Sequence, residues 1–265
     1  MPILHFKGRV LPETSHITIP KPENFFWAPY DSTENPIGFR IEINNSRIDA
    51  ICQFDSYDTV DKSILYRQAL ELTRIFVDLI AFRQGKGLTI VFDNYLLPGG
   101  SLKPIHFEYE FLGELCTAFN LEDPSFAEVR SILVAEPALI PLMNDLVASI
   151  AQSHVMPINC GRVIDGLRKR MEEMFGCPEA LSWQLLREVL NIEKTYLKFV
   201  TNISMNPRHG NYSHIPIWEL NEALRRSWIV MNRYLEFRKR KDVPLPLQEF
   251  PFLVHVPVAV PTRQS

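Results

Sequence analysis

The first hundred residues contain four segments whose apolar side chains are spaced as in β-strands. Ile3–Val10 and Leu88–Leu97 are strand-like. In Ile37–Ile43 and Ile48–Phe54 every second residue is apolar, although Ile51 makes an exception on the other face. The Asn44-Asn45 pair between the two alternating segments tolerates positive φ angles, so it predicts a hairpin turn there. This part of the chain is therefore expected to form a small, mainly antiparallel sheet.

One long amphipathic helix is predicted between the third and fourth strands. Its apolar residues recur at three- and four-residue steps and end near Gly85, where glycine accommodates a left-handed turn: Leu65, Leu72, Ile75, Phe76, Leu79 and Ile80. Residues 1–110 are thus predicted to be an α+β N-terminal domain. No chemistry is assigned to it.

The pattern changes to helical periodicity after this region, and residues 111–243 are predicted to be a helical domain. Prolines and the apolar spacing divide it into helices over Ser125–Ala135, Ala138–Gln152, Cys160–Phe175 and Ser182–Ser204. A last helix is predicted to begin at about His214 or Ile215, with Pro216 in its first turn, and to end near Arg240. Five prolines within residues 244–265 exclude a helix there and predict an extended tail. The expected fold class is α+β.

Composition bears on the location of the protein in the cell and on the cofactors that it could bind. No stretch approaches the roughly 20 apolar residues of a membrane helix, and the N-terminus lacks the basic and apolar regions of a secretory signal. A cytoplasmic location without membrane contact is therefore expected. The four cysteines form no C-x-x-C pair, which argues against a zinc site or a disulfide framework. No glycine-rich phosphate loop opens a helix, so neither a metal nor a cofactor is predicted.

Charge is divided unevenly along the chain. Residues 159–241 contain 15 lysine and arginine residues against 9 acidic ones, although the formal net charge of the whole chain is -3. A basic helical half is compatible with binding a polyanion such as RNA. It is equally compatible with solvated helix faces.

The densest polar cluster is the segment Arg208–His214. A turn is predicted over residues 207–213, which places Arg208 on a loop. Arginine offers a planar fork of donors suited to phosphate, and the two histidines can exchange protons near neutral pH. Gly210 allows the backbone to bend, and N–H groups at the start of the next helix favour an anion. These groups suit phosphodiester cleavage. The alternative is a turn with solvated polar side chains.

The helical half, from about residue 125 to 240, resembles the HEPN superfamily of small helical bundles, whose signature is an arginine, a polar residue, a few more residues and a histidine. Here that segment is Arg208–His214, and the upstream stretches NCGRVIDGLRKRMEEMF and SWQLLREVLNIEKTYLKFVTNIS resemble helices of uncharacterised bacterial proteins of this kind. The resemblance implies a metal-independent ribonuclease that works as a homodimer. Its implied catalytic residues are Arg208, His214 and His209, and its implied substrate-binding residues are Asn211, Tyr212, Arg225 and Arg226.

Two functions follow as hypotheses. The first is a HEPN-like RNA-binding or RNA-cleaving effector, in a role such as bacterial stress or phage defence. The second is a non-catalytic interaction protein whose helical bundle, with its long tryptophan- and leucine-rich helices, is a dimerisation scaffold; a protein partner is possible.

Overall fold

The alternating segments form one sheet in the computed structural model, which describes residues 3–27, 37–55, 62–97, 100–105, 109–152, 154–211 and 215–256. The chain divides into two units, Met1–His106 and Phe107–Ser265. The first unit contains the sheet, and the second is helical. The predicted α+β class, with an antiparallel sheet and one long helix followed by a helical region, is confirmed.

Six antiparallel strands form the sheet of the first unit in the order β2-β3-β4-β1-β5-β6. Their bounds are β1 Ile3–Leu11, β2 Glu23–Trp27, β3 Ile37–Asn44, β4 Arg47–Gln53, β5 Thr89–Leu96 and β6 Leu102–Pro104. Helix α1, Lys62–Gln84, packs its apolar stripe on one face of this sheet. The edge strands β2 and β6 were not among the predicted strands.

The hairpin between β3 and β4 turns at Asn45 and Ser46, one residue later than predicted. Both residues have positive φ angles, 48° and 63°, as a tight hairpin with right-handed strand twist requires. Ser46 is buried, and its hydroxyl accepts a hydrogen bond from the backbone N–H of Ile17 at 3.0 Å. The other, polar face of the sheet carries ion pairs between neighbouring strands, for example between Lys7 and Asp49.

The second unit contains helices α2 Glu110–Glu114, α3 Pro124–Ala135, α4 Leu139–Ala151, α5 Met156–Phe175, α6 Glu179–Val189, α7 Lys194–Arg208 and α8 Ile217–Lys239. Helix α8 packs against α3, α4, α5 and α7, and every residue from Val230 to Phe237 is buried. Because no side of this stretch faces water, its polar side chains must find partners inside the unit. The Tyr234 hydroxyl donates a hydrogen bond to the carboxylate of Glu136, and the amide of Asn232 donates one to the hydroxyl of Thr117.

Several predicted helix boundaries were wrong, including the start of α5, which begins at Met156 and not at Cys160. The helix predicted over Ser182–Ser204 is two helices, because the chain turns at Asn191 with a φ of 54°. Helix α7 continues through Pro207 to Arg208, so Arg208 lies on the last helical turn and not on a loop. Helix α8 begins at Ile217, with Pro216 as its N-cap, two or three residues later than predicted.

The proline-rich tail packs along the helical unit as far as residue 256. The N–H of Leu245 donates to the carbonyl of Val189 at 2.9 Å, and Leu253 forms a parallel β-bridge with Ile192. We call residues Pro251–Val256 the strap, because they cross the junction of α6 and α7 in extended form. The backbone of the strap is thus anchored even though its outer side chains are exposed.

Within the described residues, no single helix is long and apolar enough to cross a membrane. The pair α3 and α4 meets that test together by length and composition, with a bend of 116° between them.

Candidate functional site

The sequence cluster at Arg208 lies at the end of α7, where the helix closes with a Schellman motif. The N–H of Asn211 donates to the carbonyl of Asn206 at 3.0 Å, and the N–H of Gly210 donates to the carbonyl of Pro207 at 3.1 Å. Gly210 has a φ of 73°, a conformation that glycine adopts without a steric penalty. This motif fixes the backbone direction immediately after Arg208.

Arg208 is held against α5. One of its terminal nitrogens, Nη1, forms an ion pair with the carboxylate of Asp165, and its guanidinium lies over Gly161. A side chain at position 161 would collide with Arg208 and with Ser204, so the glycine allows α5 and α7 to approach each other here. The guanidinium remains partly exposed, with a fixed orientation and a carboxylate on one side.

The neighbouring predicted residues present polar groups to solvent. His209 caps α7, with its N–H donating to the carbonyl of Asn206 at 3.1 Å, and its side chain is exposed, as is that of Asn211. Arg208, His209 and Asn211 are therefore together on one corner. Tyr212 and His214, also predicted at this site, lie outside the described residues.

The predicted substrate-binding residue Arg225 lies on α8, well inside the helix. Its guanidinium makes a two-bond ion pair with Glu222, at 2.7 Å for Nε and 2.9 Å for Nη2, and the side chain is 38% exposed. Burial opposes ionisation of Glu222, but hydrogen bonds from Arg225 and Arg226 outweigh it and lower the pKa of this carboxyl. Glu222 is thus a charged, partly buried anchor for two arginines.

Arg226, the other predicted substrate contact, is only 1% exposed. It donates to Glu222 at 2.7 Å and to the backbone carbonyls of Tyr196 and Val256 at 3.3 and 3.4 Å, and it contacts Nδ1 of His255 at 2.9 Å. Two aromatic rings enclose it, with the guanidinium carbon 4.6 Å from the Tyr196 centroid and 4.2 Å from that of Phe199. The structure therefore shields Arg226 from solvent, so the predicted contact with substrate is wrong for the structure described.

A polar group that the sequence does not single out lies beside these arginines. The hydroxyl of Tyr196 is buried and has no hydrogen-bond partner among the described residues, and burial raises its pKa to about 12. It therefore stays a neutral phenol at physiological pH. Its burial depends on tertiary packing, which the sequence pattern does not show.

Many basic side chains of the helical half are paired with carboxylates of the same unit. Arg168 pairs with Glu172, Arg170 and Arg238 both pair with Glu136, and further pairs involve Arg162, Lys169, Lys239 and Arg240. The regional charge alone is therefore a weak argument for a polyanion ligand, and individual exposed groups carry more weight. Within the described ranges, no three histidine, cysteine or acidic side chains converge as metal ligands.

Comparison with protein-family models gives two matches along the chain. Residues 4–106 match the model described as Domain of unknown function (DUF8168) N-terminal domain, and residues 126–239 match the corresponding C-terminal domain. The chain belongs to the DUF8168 family. The two DUF8168 matches fall one in each structural unit, so the sheet and the helical bundle are the family's two parts. No curated protein and no solved structure matches the chain.

Several residues that form the contacts of Arg208 and Arg226 belong to no recognisable sequence motif. Asp165 and Gly161 are four residues apart on α5, which places them on one helix face, but nothing in the sequence pairs them with Arg208. His255 stands alone in the tail, and its contact with Arg226 spans 29 residues. These contacts depend on how α5, α7, α8 and the tail pack, which residue spacing does not specify.

Proposed function

We propose that the segment Arg208–His214, of which Arg208, His209 and Asn211 form the described corner, binds the phosphodiester backbone of RNA, with Arg208 as the primary phosphate contact. The observation that carries this proposal is the fixed, partly exposed guanidinium of Arg208 beside the exposed side chains of His209 and Asn211. The ion pair with Asp165 favours one orientation of the guanidinium, so less conformational entropy is lost when it binds a phosphate. Its free edge can then donate charge-assisted hydrogen bonds.

The chemical form of the proposal follows the HEPN superfamily that the helical half resembles. A ribose 2′-oxygen attacks the adjacent phosphorus, the bond from phosphorus to the 5′-oxygen breaks, and the leaving oxygen takes up a proton. His214 or His209 acts as the acid or base, and Arg208 stabilises negative charge that develops on the phosphate. In this mechanism two protomers bring their corners together, and no metal takes part.

The direct test is cleavage of single-stranded RNA by the purified full-length protein in the presence of a metal chelator. Arg208→Ala and His214→Ala should abolish cleavage, whereas His16→Ala, which changes an exposed histidine in the first unit, should leave it intact. Cleavage that persists equally in all the variants, or no cleavage by any protein including the wild type, refutes the nuclease form of the proposal. Binding without cleavage leaves the phosphate-binding form, which affinity measurements test separately.

A second candidate function, a dimeric scaffold, is favoured by the outer face of α4. Ile140 and Val147 are 51% and 53% exposed, and the only ionisable side chain on this helix, Asp145, is buried. In a twofold dimer the same patch of each protomer faces its copy, so like charges would repel each other there. A face without charges therefore suits such an interface. Light scattering should then give a dimer mass for the wild type and a monomer mass for Val147→Glu. A wild-type monomer counts against both the scaffold and the two-protomer nuclease.

A further inference from the structure

Helix α1 carries exposed apolar side chains on the side that does not pack on the sheet. Ile64, Ile75, Leu79 and Phe82 are 38%, 46%, 64% and 91% exposed. At 3.6 residues per turn, these four side chains fall within a sector of about 60° around the helix. We call this face of α1 the outer stripe. Large apolar side chains gathered on one exposed face are typical of a surface that binds another protein.

Four charged side chains follow one edge of the outer stripe, and their signs alternate along the helix. Arg67, Glu71, Arg74 and Asp78 are spaced by four, three and four residues, in the sector of about 60° that adjoins the stripe. Their side chains are 28% to 51% exposed, and each arginine pairs with the acid four residues later, at 3.0 and 3.2 Å. In the reverse direction along the helix, the spacing is the same and every sign is inverted.

This inverted pattern matches an antiparallel, twofold contact between two copies of α1. In such a contact the helices run in opposite directions, and each flank of one helix faces the same flank of the other copy. A twofold axis midway between residues 72 and 73 sets Arg67 opposite Asp78 of the other copy and Glu71 opposite Arg74 of the other copy. Each of these facing pairs then has opposite charges.

The apolar residues of the outer stripe fit the same axis position. Measured along the helix, Ile64 lies within about 1.5 Å of the level of Phe82 of the other copy and within about 3 Å of the level of Leu79. Phe82, the most exposed of the four side chains, is then covered at both ends of the contact. Charge and apolar contact therefore favour one common register.

We propose that α1 is a self-association surface, at which two copies of this chain pair antiparallel through the outer stripe. The occupant is a second copy because the charges on α1 complete every facing pair between themselves. The inference goes beyond the proposed function, since it gives a role to the first unit. One face of a 23-residue helix is smaller than the roughly 800 Å² per partner of a standard interface, so we expect a reversible contact with a Kd on the order of 100 μM.

Two charge reversals test both the partner and the register. A homodimer of Glu71→Arg, or of Arg74→Glu, would contain two pairs of like charges where the parent has two pairs of opposite charges. Each variant alone should therefore associate at least about tenfold more weakly. An equimolar mixture restores opposite charges at all four facing positions of a heterodimer, so its affinity should return to within about threefold of the parent. Each reversal removes one exposed ion pair within α1, which is too small a loss to unfold the unit.

Sedimentation equilibrium of the full-length protein, from about 10 to about 300 μM, covers the expected Kd. Every protein in this series carries Val147→Glu, so that the outer face of α4 contributes nothing to the measured mass. Phe82→Ser should weaken association at least about tenfold, because it removes the largest apolar contact of the outer stripe. Phe26→Ser is the matched control, since it changes an 80% exposed phenylalanine on strand β2 and should leave the affinity unchanged.

The proposal is overturned if the parent stays monomeric up to about 300 μM, or if either reversal associates as tightly as the parent. It is also overturned if the mixture associates no more tightly than its components, or if Phe82→Ser and Phe26→Ser behave alike. If circular dichroism shows that a reversal does not fold, Arg67→Glu and Asp78→Arg form a second complementary pair to which the same criteria apply. None of these outcomes bears on RNA binding by the corner at Arg208, which belongs to the second unit.

Discussion

Replacing Gly161 with alanine tests the close approach of α5 and α7 that holds Arg208 in place. A Cβ at this position would lie under 3.0 Å from the Arg208 Nη2, and from both Oγ and Cβ of Ser204. The end of an arginine side chain can swing away, but the Ser204 Cβ is fixed to the backbone of α7 and is buried. The two helices must therefore separate to admit the methyl group.

The expected cost is the difference between two effects. Overpacking a well-packed contact by one methyl group costs about 1–3 kcal/mol. Alanine recovers about 0.5–1 kcal/mol relative to glycine inside a helix. Gly161→Ala should thus destabilise the helical unit by about 1–2 kcal/mol, and it should also displace Arg208 from its ion pair with Asp165.

Urea unfolding followed by circular dichroism measures this change. Gly113→Ala is the matched control, since a Cβ at that helical position meets nothing within 4 Å and should be neutral or slightly stabilising. Ser204→Gly removes the two rigid collisions, so a double-mutant cycle should return a favourable coupling of about 1 kcal/mol between positions 161 and 204. A Gly161→Ala protein as stable as wild type, or a coupling near zero, would refute the packing argument.

Three further outcomes are expected from unfolding experiments. Arg226→Ala should cost about 3–5 kcal/mol because the Arg226 side chain is only 1% exposed and its loss removes a buried partner of Glu222 and of the Tyr196 carbonyl. Arg225→Ala should cost less than about 1 kcal/mol because that side chain is 38% exposed; equal losses would contradict this. Gly8→Ala should destabilise the first unit by about 1–3 kcal/mol, since its Cβ would overlap the carbonyl of Val91, and an unchanged urea midpoint would argue otherwise. The folded pKa of Glu222 is lowered, so its stabilisation is present above the ordinary glutamate pKa and lost as pH falls through the folded value. The stability difference between wild type and Glu222→Gln should therefore shrink from about pH 7 to about pH 3, and a constant difference would count against it.

The sheet was predictable from the sequence because its strands have one buried face. Residues 37–43 and 48–54 alternate between apolar and polar, and the asparagine pair between them identifies the turn to within one residue. Strand β2, Glu23–Trp27, escaped prediction because its three consecutive aromatic residues do not alternate and it lies at the sheet edge. Apolar alternation therefore predicts a strand well where one face of the strand is buried, and it predicts edge strands poorly.

The helical unit was harder because tertiary contacts determine its breaks and its buried polar residues. The turn between α6 and α7 contains neither glycine nor proline, and Arg233 stabilises it by donating to the carbonyls of Leu190 and Asn191 at 2.7 and 3.0 Å. Arg226 lies outside the apolar stripe of α8 and therefore reads as a solvent-facing residue. It is buried because α8 is enclosed by the other elements of its unit, which an amphipathic pattern does not reveal.

The polar cluster at Arg208 was singled out by its residue types. Its geometry was not predictable, because Pro207 does not end α7. Proline lacks an N–H and usually terminates a helical pattern, which is why residues 207–213 were predicted to be a turn. In the structure the final turn of α7 accommodates Pro207, and the positive φ of Gly210 ends the helix instead. The ion pair with Asp165 then gives Arg208 an orientation that the motif could not supply.

The measurement that tests the central claim most directly is the affinity of the full-length protein for a fluorescent single-stranded RNA, followed by anisotropy at several salt concentrations. Arg208→Ala should weaken binding by about 10- to 100-fold, the range for loss of one charge-assisted phosphate contact, and it should make the affinity less dependent on salt. Arg130→Ala removes an exposed arginine from α3 and should change the affinity by less than about twofold. Wild-type protein that binds no RNA, or equal affinities for the wild type and Arg208→Ala, would contradict the proposed role of this corner.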